Sequence, residues 1–275
     1  MTDHQIQAES LTLGYDEKII INDLNLEVPK GEISVLVGAN GCGKSTLLKS
    51  MARLLKPSTG AVLLNGEDIA KTPSKQVAQS LALLPQSVTA PEGLTVHQLV
   101  KQGRYPHQSF FKKWTDEDER IVEESLNKTK LQDLKDSSVD ELSGGQRQRA
   151  WIAMTLAQDT DVILLDEPTT YLDLTHQIDI LDLLFDLNQE EGRTIIMVLH
   201  DLNLACRYAN HLIAIKDGKV FIEGKPEEVI TCENVHHVFQ MQCQVAKDPL
   251  FGTPLCIPHG KGRCLFNNVN VANDH

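Results

Sequence analysis

No apolar run in this chain approaches the roughly 20 residues needed to cross a bilayer as a helix. The longest, such as Ile195-Ile196-Met197-Val198-Leu199, are strand-length, so any membrane passage belongs to other subunits. No dense Lys/Arg run occurs either, and the formal net charge is −12. That balance argues against a surface built to neutralise a nucleic-acid backbone, and we expect no nucleic-acid partner. The start, Met1-Thr2-Asp3-His4-Gln5, has no basic stretch followed by an apolar core. We therefore expect no secretory signal and a chain that stays inside the cell. The six cysteines, Cys42, Cys206, Cys232, Cys243, Cys256 and Cys264, are scattered without a Cys-x-x-Cys pair. Reduced thiols are the expectation. Cys256, His259 and Cys264 fit no zinc spacing, and Pro258 and Gly260 read as a turn; His236-His237 is likewise read as structural. There is no internal repeat and no low-complexity segment.

What is present is alternation of short apolar runs with helical periodicity. Glu32 to Val37 reads as a strand ending at Gly38, and Ser45 to Leu55 follows with helical spacing of Leu47, Leu48, Met51, Leu54 and Leu55. Val162 to Leu165 and Thr194 to Leu199 read as further strands separated by a helix from Leu174 to about Glu190. Such βα alternation predicts an α/β fold with a mostly parallel sheet and a ligand at the carboxyl ends of its strands. Ile6 to Tyr15 and Ile19 to Val28, joined through Asp16-Glu17, read as an antiparallel side sheet. Between Gln86 and Asp161 the pattern turns helical, with Thr115 as N-cap of an acidic first turn. Pro226 to Ile230 reads as a short helix, and Asp248 to Gly262 as a Pro/Gly-punctuated tail.

Three local patterns carry chemistry. Gly38-Ala39-Asn40-Gly41-Cys42-Gly43-Lys44-Ser45 matches the phosphate-binding loop. Its glycines permit backbone conformations that turn amides toward β- and γ-phosphates, Lys44 supplies a full charge, Ser45 a hydroxyl for Mg²⁺, and Thr46 a reach to the α-phosphate. Asp166 and Glu167 end a branched apolar run, where paired carboxylates are costly unless they face a cation or donors. Leu142-Ser143-Gly144-Gly145-Gln146 opens a helix with a hydroxyl, an anion site that needs a phosphate from elsewhere.

In this order the three resemble the ATP-binding cassette family, and the resemblance runs from about Tyr15 to about Gly224. It implies a single ABC ATPase domain: a nucleotide-binding core with its β subdomain over residues 1–86 and 156–230, a helical subdomain over 87–155, and a C-terminal tail over 231–275. It implies ATP and Mg²⁺ as ligands. Asp166 would hold Mg²⁺ through water, Glu167 would polarise the attacking water, and Gln86 would contact Mg²⁺ and link to the helical subdomain. His200 would face the γ-phosphate and Tyr15 would stack on adenine. Asp173 matches the loop that crosses to a second copy. The family closes two chains as a homodimer, with one chain's Lys44, Ser45, Glu167 and His200 and the other's Ser143 and Gly145 on each ATP.

Lacking spanning segments, the chain resembles the separate ATPase subunit of an importer, peripheral on the cytoplasmic membrane face. Its implied partners are integral-membrane permease subunits and, through them, an extracytoplasmic substrate-binding protein. Pro91 to Val96, Gly103 to Gln108 and His200 to Ala205 look like the iron-siderophore, haem and cobalamin subgroup. The siderophore branch is the expectation, with a zinc or manganese importer as the rival and a nucleic-acid ABC ATPase further off. Tyr105, Phe110, Phe111 and Trp114 read equally as a groove for a permease helix or as core. Cys42, beside Lys44 and a helix start, reads as the most readily alkylated of the six thiols provided solvent reaches it.

Overall fold

Inward and outward side chains alternate along the first two strands and so define a layer with one dry face. This computed structural model describes residues 4–16, 18–87, 90–108 and 114–260. β1 (His4–Tyr15) and β2 (Lys18–Pro29) pair antiparallel, with Ile21, Leu24, Leu26 and Val28 buried on one side. β3 (Ile33–Val37) is buried throughout and feeds α1 (Lys44–Met51). The helix stops at Met51, short of the expected Leu55. Arg53 takes a left-handed conformation (φ 61°) and Leu54 is left in solvent. β4 (Thr59–Leu64) and β5 (Glu67–Asp68) extend the first layer into a sheet of order β2-β1-β4-β5.

α2 (Ser74–Ser80) leads into β6 (Leu81–Leu84), after which the chain is helical. α3 (Val96–Gln102), α4 (Asp116–Lys128) and α5 (Gly144–Ala157) pack on one another. The expected cap is present: Thr115 Oγ1 accepts from Asp118 N at 3.2 Å, and Ile121, Val122, Ser125 and Leu126 supply the buried stripe of α4. β7 (Val162–Leu165), α6 (Leu174–Glu191), β8 (Thr194–Val198), α7 (Leu202–Tyr208), β9 (His211–Lys216) and β10 (Lys219–Gly224) complete the main sheet.

Its order is β10-β9-β3-β8-β7-β6, parallel except at the β10 edge. Period-two alternation divides the core. Ile33, Val35, Val37, Ile163, Leu165, Ile195 and Met197 face the helical side, while Leu36, Val162, Leu164, Ile196 and Val198 face α1 and the antiparallel sheet. With both faces covered, functional groups emerge only at strand ends. β3, β7 and β8 all stop at one edge, and there the phosphate-loop pattern and the Asp166-Glu167 pair meet.

Residues 231–258 differ from a tail. After α8 (Pro226–Val229), α9 (Cys232–Phe239) buries Val235 and Val238, and β11 (Cys243–Lys247) pairs antiparallel with β12 (Pro254–Pro258). The punctuation near Asp248 is the turn of this hairpin. The Asp248 carboxylate accepts from the Leu250 and Phe251 amides and pairs with Arg207 of α7 at 2.8 Å. A hairpin this short was illegible because its register rests on α7 as well as on its own residues. No helix among the described residues is long and apolar enough to cross a membrane.

Candidate active site

The loop after β3 is shaped by contacts that exclude side chains. Gly38 has φ 149°, and a Cβ there would lie 2.3 Å from the carbonyl oxygen of Ile215. Gly43 caps α1 at φ 110°, where a Cβ would press on Ile21. Both positions admit glycine alone without moving backbone. Lys44 is only 5% exposed, and its ammonium donates to the carbonyls of Gly38 (2.8 Å) and Ala39 (3.1 Å). A buried full charge held by two neutral carbonyls is under-compensated, and anionic oxygens at this spot would form stronger, charge-assisted bonds.

Across the loop, Ser45 Oγ donates to Asp166 Oδ1 at 2.8 Å. Asp166 closes β7 and is buried, which pushes its carboxyl above the usual range; the Ser45 bond and the nearby Lys49 and Lys44 charges offset this only in part. A hydroxyl and a costly carboxylate side by side are a donor pair for a hard cation such as Mg²⁺. The residues present fit that ion.

Glu167 follows with φ 54°, a conformation uncommon for a residue with a side chain. Its carboxylate receives Gln86 Nε2 at 2.7 Å, Thr170 Oγ1 at 3.0 Å and His200 Nε2 at 2.7 Å. Burial opposes its charge, but the bonds from His200, Thr170 and Gln86 outweigh it and hold the carboxyl below its ordinary range. Glu167 is therefore an ionised acceptor. Of about four lone-pair sites on a carboxylate, three are taken and one is left for a water molecule. The structure thus brings Gln86, Glu167 and His200 together just past the ends of β6, β7 and β8, and adds Thr170, whose part had no sequence signal of its own.

Ser143, Gly144, Gly145 and Gln146 open α5. Ser143 Oγ accepts from Gln146 N at 3.3 Å and Gln146 Oε1 accepts from Ser143 N at 3.0 Å, a reciprocal capping box. Among the described residues no hydrogen bond joins them to the Lys44 loop. Asp173 caps α6 by accepting from His176 N at 2.9 Å and binds the His176 ring at 2.7 Å; those two bonds hold its carboxyl below the ordinary range. The same ring lies against Gly145, where an added Cβ would be 2.4 Å from His176 Cδ2. His176, which no motif pointed to, thus joins Asp173 to the pentapeptide. We expect Gly145→Ala to lower ATPase by about tenfold, roughly 1.4 kcal/mol, with little loss of thermal stability because the half-exposed ring can swing away. Adding His176→Ala should restore much of the rate. A double variant as slow as the single one would remove this coupling.

Tyr15 is 46% exposed at the end of β1, and the cavity of about 450 Å³ beside the loop is lined by Lys18, Ile19, Ile20, Asn40, Gly41, Cys42 and residues of α9 and the β9–β10 turn. Cys42 is nearly buried, at 8% exposed, yet lines that cavity, and its Sγ sits 3.8 Å from Lys44 Nζ. Of the aromatic group, Phe110 and Phe111 lie outside the described residues. Tyr105 is exposed, whereas Trp114 packs on the core, donates to Glu119 at 2.6 Å and carries Lys101 over its ring. Cys264 likewise lies outside the described residues.

A phosphate loop, a hydroxyl–carboxylate pair and a held glutamate at the ends of parallel strands define an ATP-binding hydrolase. The chain belongs to the ABC transporter family, whose profile matches residues 21–170. It is an ABC ATPase with an α/β cassette fold. It is 69% identical over 264 residues to "Probable siderophore transport system ATP-binding protein YusV" of Bacillus subtilis (strain 168), covering 96% of each chain. It is 62% identical over 264 residues to "Petrobactin import ATP-binding protein FpuD" of Bacillus anthracis, covering 96% of this chain and 97% of that one. Among solved structures it matches a chain of "An inward-facing conformation of a putative metal-chelate type ABC transporter" with TM-score 0.81 and 30% identity, over 94% of this chain and 98% of that one.

Proposed function

We propose that two copies of this chain bind Mg²⁺ and ATP between them at the cytoplasmic face of the membrane and drive permease subunits that import iron(III)-siderophore complexes. The observation that carries the substrate class is the identity of 69% and 62%, over nearly the whole chain, to proteins named for siderophore and petrobactin import. Homodimer formation is supported by groups that find no phosphate within the chain. Ser143 opens α5 with no hydrogen bond to the Lys44 loop among the described residues, and Tyr171, two residues before Asp173, is 96% exposed at φ 66°.

Lys44 would exchange its own carbonyls for the β- and γ-phosphate oxygens, and the start of α1 would add its positive end. Ser45 and Asp166 would hold Mg²⁺, which when bound neutralises phosphate charge. Glu167 orients the attacking water with its remaining acceptor site and takes its proton. His200 and Gln86 fix the carboxylate for that task, and a second copy's Ser143 would donate to the γ-phosphate from the opposite side. Siderophore itself meets no residue of this chain, so substrate identity follows the permease.

Cells without the chain should lose uptake of labelled ferric siderophore while keeping amino-acid and sugar uptake. Normal siderophore uptake with a zinc or manganese defect would move the assignment to the rival importer.

A further inference from the structure

Between α3 and α4, away from the phosphate loop, one imidazole and two carboxylates meet. Glu119 and Glu123 are four residues apart on α4 and so share one face of it, and His97 of α3 stands against that face. His97 Nε2 is 2.8 Å from Glu119 Oε1, and one ligand atom from each of the three residues lies within 4.8 Å of the others. All three side chains are half-buried. Donors bound to one ion at about 2.1 Å stand roughly 3–4.3 Å apart, so small side-chain rotations would close this set.

The surroundings hold some of the oxygens and leave others for an ion. Glu119 Oε2 accepts from Trp114 Nε1 at 2.6 Å and lies 3.7 Å from Lys101 Nζ, an ammonium that also sits 4.0 Å over the Trp114 ring. Oε1 is thereby turned to His97, and an ion between the two would replace the proton they share. Glu123 Oε2 accepts from Gln132 Nε2, and Oε1 accepts from Lys135 Nζ at 3.2 Å. The far end of that amide is anomalous: Gln132 Oε1 is buried and has no hydrogen-bond partner among the described residues. A dry acceptor is costly unless a donor or a cation meets it. Flipping the amide gives no relief, because it would set an oxygen against the Glu123 carboxylate. Lys101 and Lys135 compete with an ion for the same carboxylates, which makes the site exchangeable rather than permanently filled.

We propose that His97, Glu119 and Glu123 bind a first-row divalent transition-metal ion, with Gln132 Oε1 as a further oxygen ligand and water completing the shell. One imidazole with carboxylate and amide oxygens suits Zn²⁺, Co²⁺, Fe²⁺ and Mn²⁺, whereas Mg²⁺ and Ca²⁺ take oxygen ligands. The site is therefore separate in place and in preference from the Ser45–Asp166 pair. An ion here ties the first turn of α3 to the first two turns of α4, and both helices pack on α5, which Ser143 opens.

Trp114 reports on the site directly, because its indole is bonded to Glu119. The chain has two tryptophans, and the other, Trp151, is changed to Phe in every protein tested; its Nε1 has no hydrogen-bond partner to lose among the described residues. Nucleotide-free protein in millimolar Mg²⁺ is titrated with Co²⁺, whose unpaired electrons quench a nearby indole. The expected result is saturable quenching of Trp114 that Zn²⁺ reverses by displacement. His97→Ala and Glu123→Gln should each weaken binding at least as much as loss of an outer-shell partner does, about 10–100-fold. Lys135→Met, which removes a competing charge, should tighten it by about fivefold, the effect of one unit charge a few ångströms away in water. Tighter binding cannot come from misfolding, so this variant keeps the test decisive if His97→Ala is unstable. Unsaturable quenching, no recovery with Zn²⁺, an unchanged dissociation constant in His97→Ala, or no tightening in Lys135→Met would each overturn the site.

Discussion

A Glu167→Gln chain should bind ATP with wild-type affinity and hydrolyse it at least about a hundredfold more slowly, the loss expected when a positioned general base is removed. The geometry explains why so small a change matters. Glu167 is an acceptor facing three donors, Gln86 Nε2, Thr170 Oγ1 and His200 Nε2. An amide of the same shape replaces one acceptor oxygen with an NH₂, which turns a donor toward at least one of those donors and leaves no base for the water. Lys44 and Ser45, which we propose meet phosphate and Mg²⁺, are untouched, so binding should survive while turnover stops. Where two copies close on ATP, the closed pair then accumulates. Sizing chromatography with ATP and Mg²⁺ should show a dimer that the wild type does not retain. A monomeric variant with normal turnover would contradict both the role of Glu167 and the two-chain site.

Which parts of this site could be read in advance follows from how local each feature is. Gly38 to Ser45 was legible because a strand end, tight glycines and a helix start must be consecutive to cradle phosphate. Asp166 and Glu167 were legible because charge is conspicuous at the end of a buried strand. The cap at Thr115 and the helix from Leu174 rest on residues three and four apart. Three features rest on contacts across the chain: Thr170 on Glu167, His176 against Gly145, and the near-burial of Cys42. For these, residue spacing carries no signal. Arg104 belongs with them. It stood out only as part of a subgroup-like run, yet it is 4% exposed and anchors the helical region.

Asp118→Ala should destabilise the protein by about 3–5 kcal/mol, the range seen when one partner of a buried ion pair is removed. Asp118 is 1% exposed, and its Oδ1 receives Arg104 Nε at 3.0 Å while Oδ2 receives Thr115 N at 3.1 Å and Thr115 Oγ1 at 2.7 Å. The same guanidinium donates from Nη1 to the Ala157 carbonyl at 3.0 Å, so one pair fastens the start of α4 and the turn after α3 to the end of α5, whose other end carries Ser143. Removing the carboxylate strands a charge in a dry interior and also removes its half of the α4 capping box, the acceptor of the Thr115 amide. Replacing Arg104 with Met and Asp118 with Leu together should cost less than Asp118→Ala alone, because no unpaired charge remains. Burial works against the Asp118 charge, but the Thr115 and Arg104 bonds outweigh it and hold the carboxyl below its ordinary range. With the folded value below the unfolded one, near 3.9, the stabilisation is complete above the unfolded value and is lost as pH falls through the folded one. Urea unfolding of the wild type should therefore weaken as pH drops below about 4, and Asp118→Asn should lack its share of that acid dependence. An Asp118→Ala chain within about 1 kcal/mol of wild type, or an Asp118→Asn chain with the full acid dependence, would show that the pair is not what holds α4 to α5.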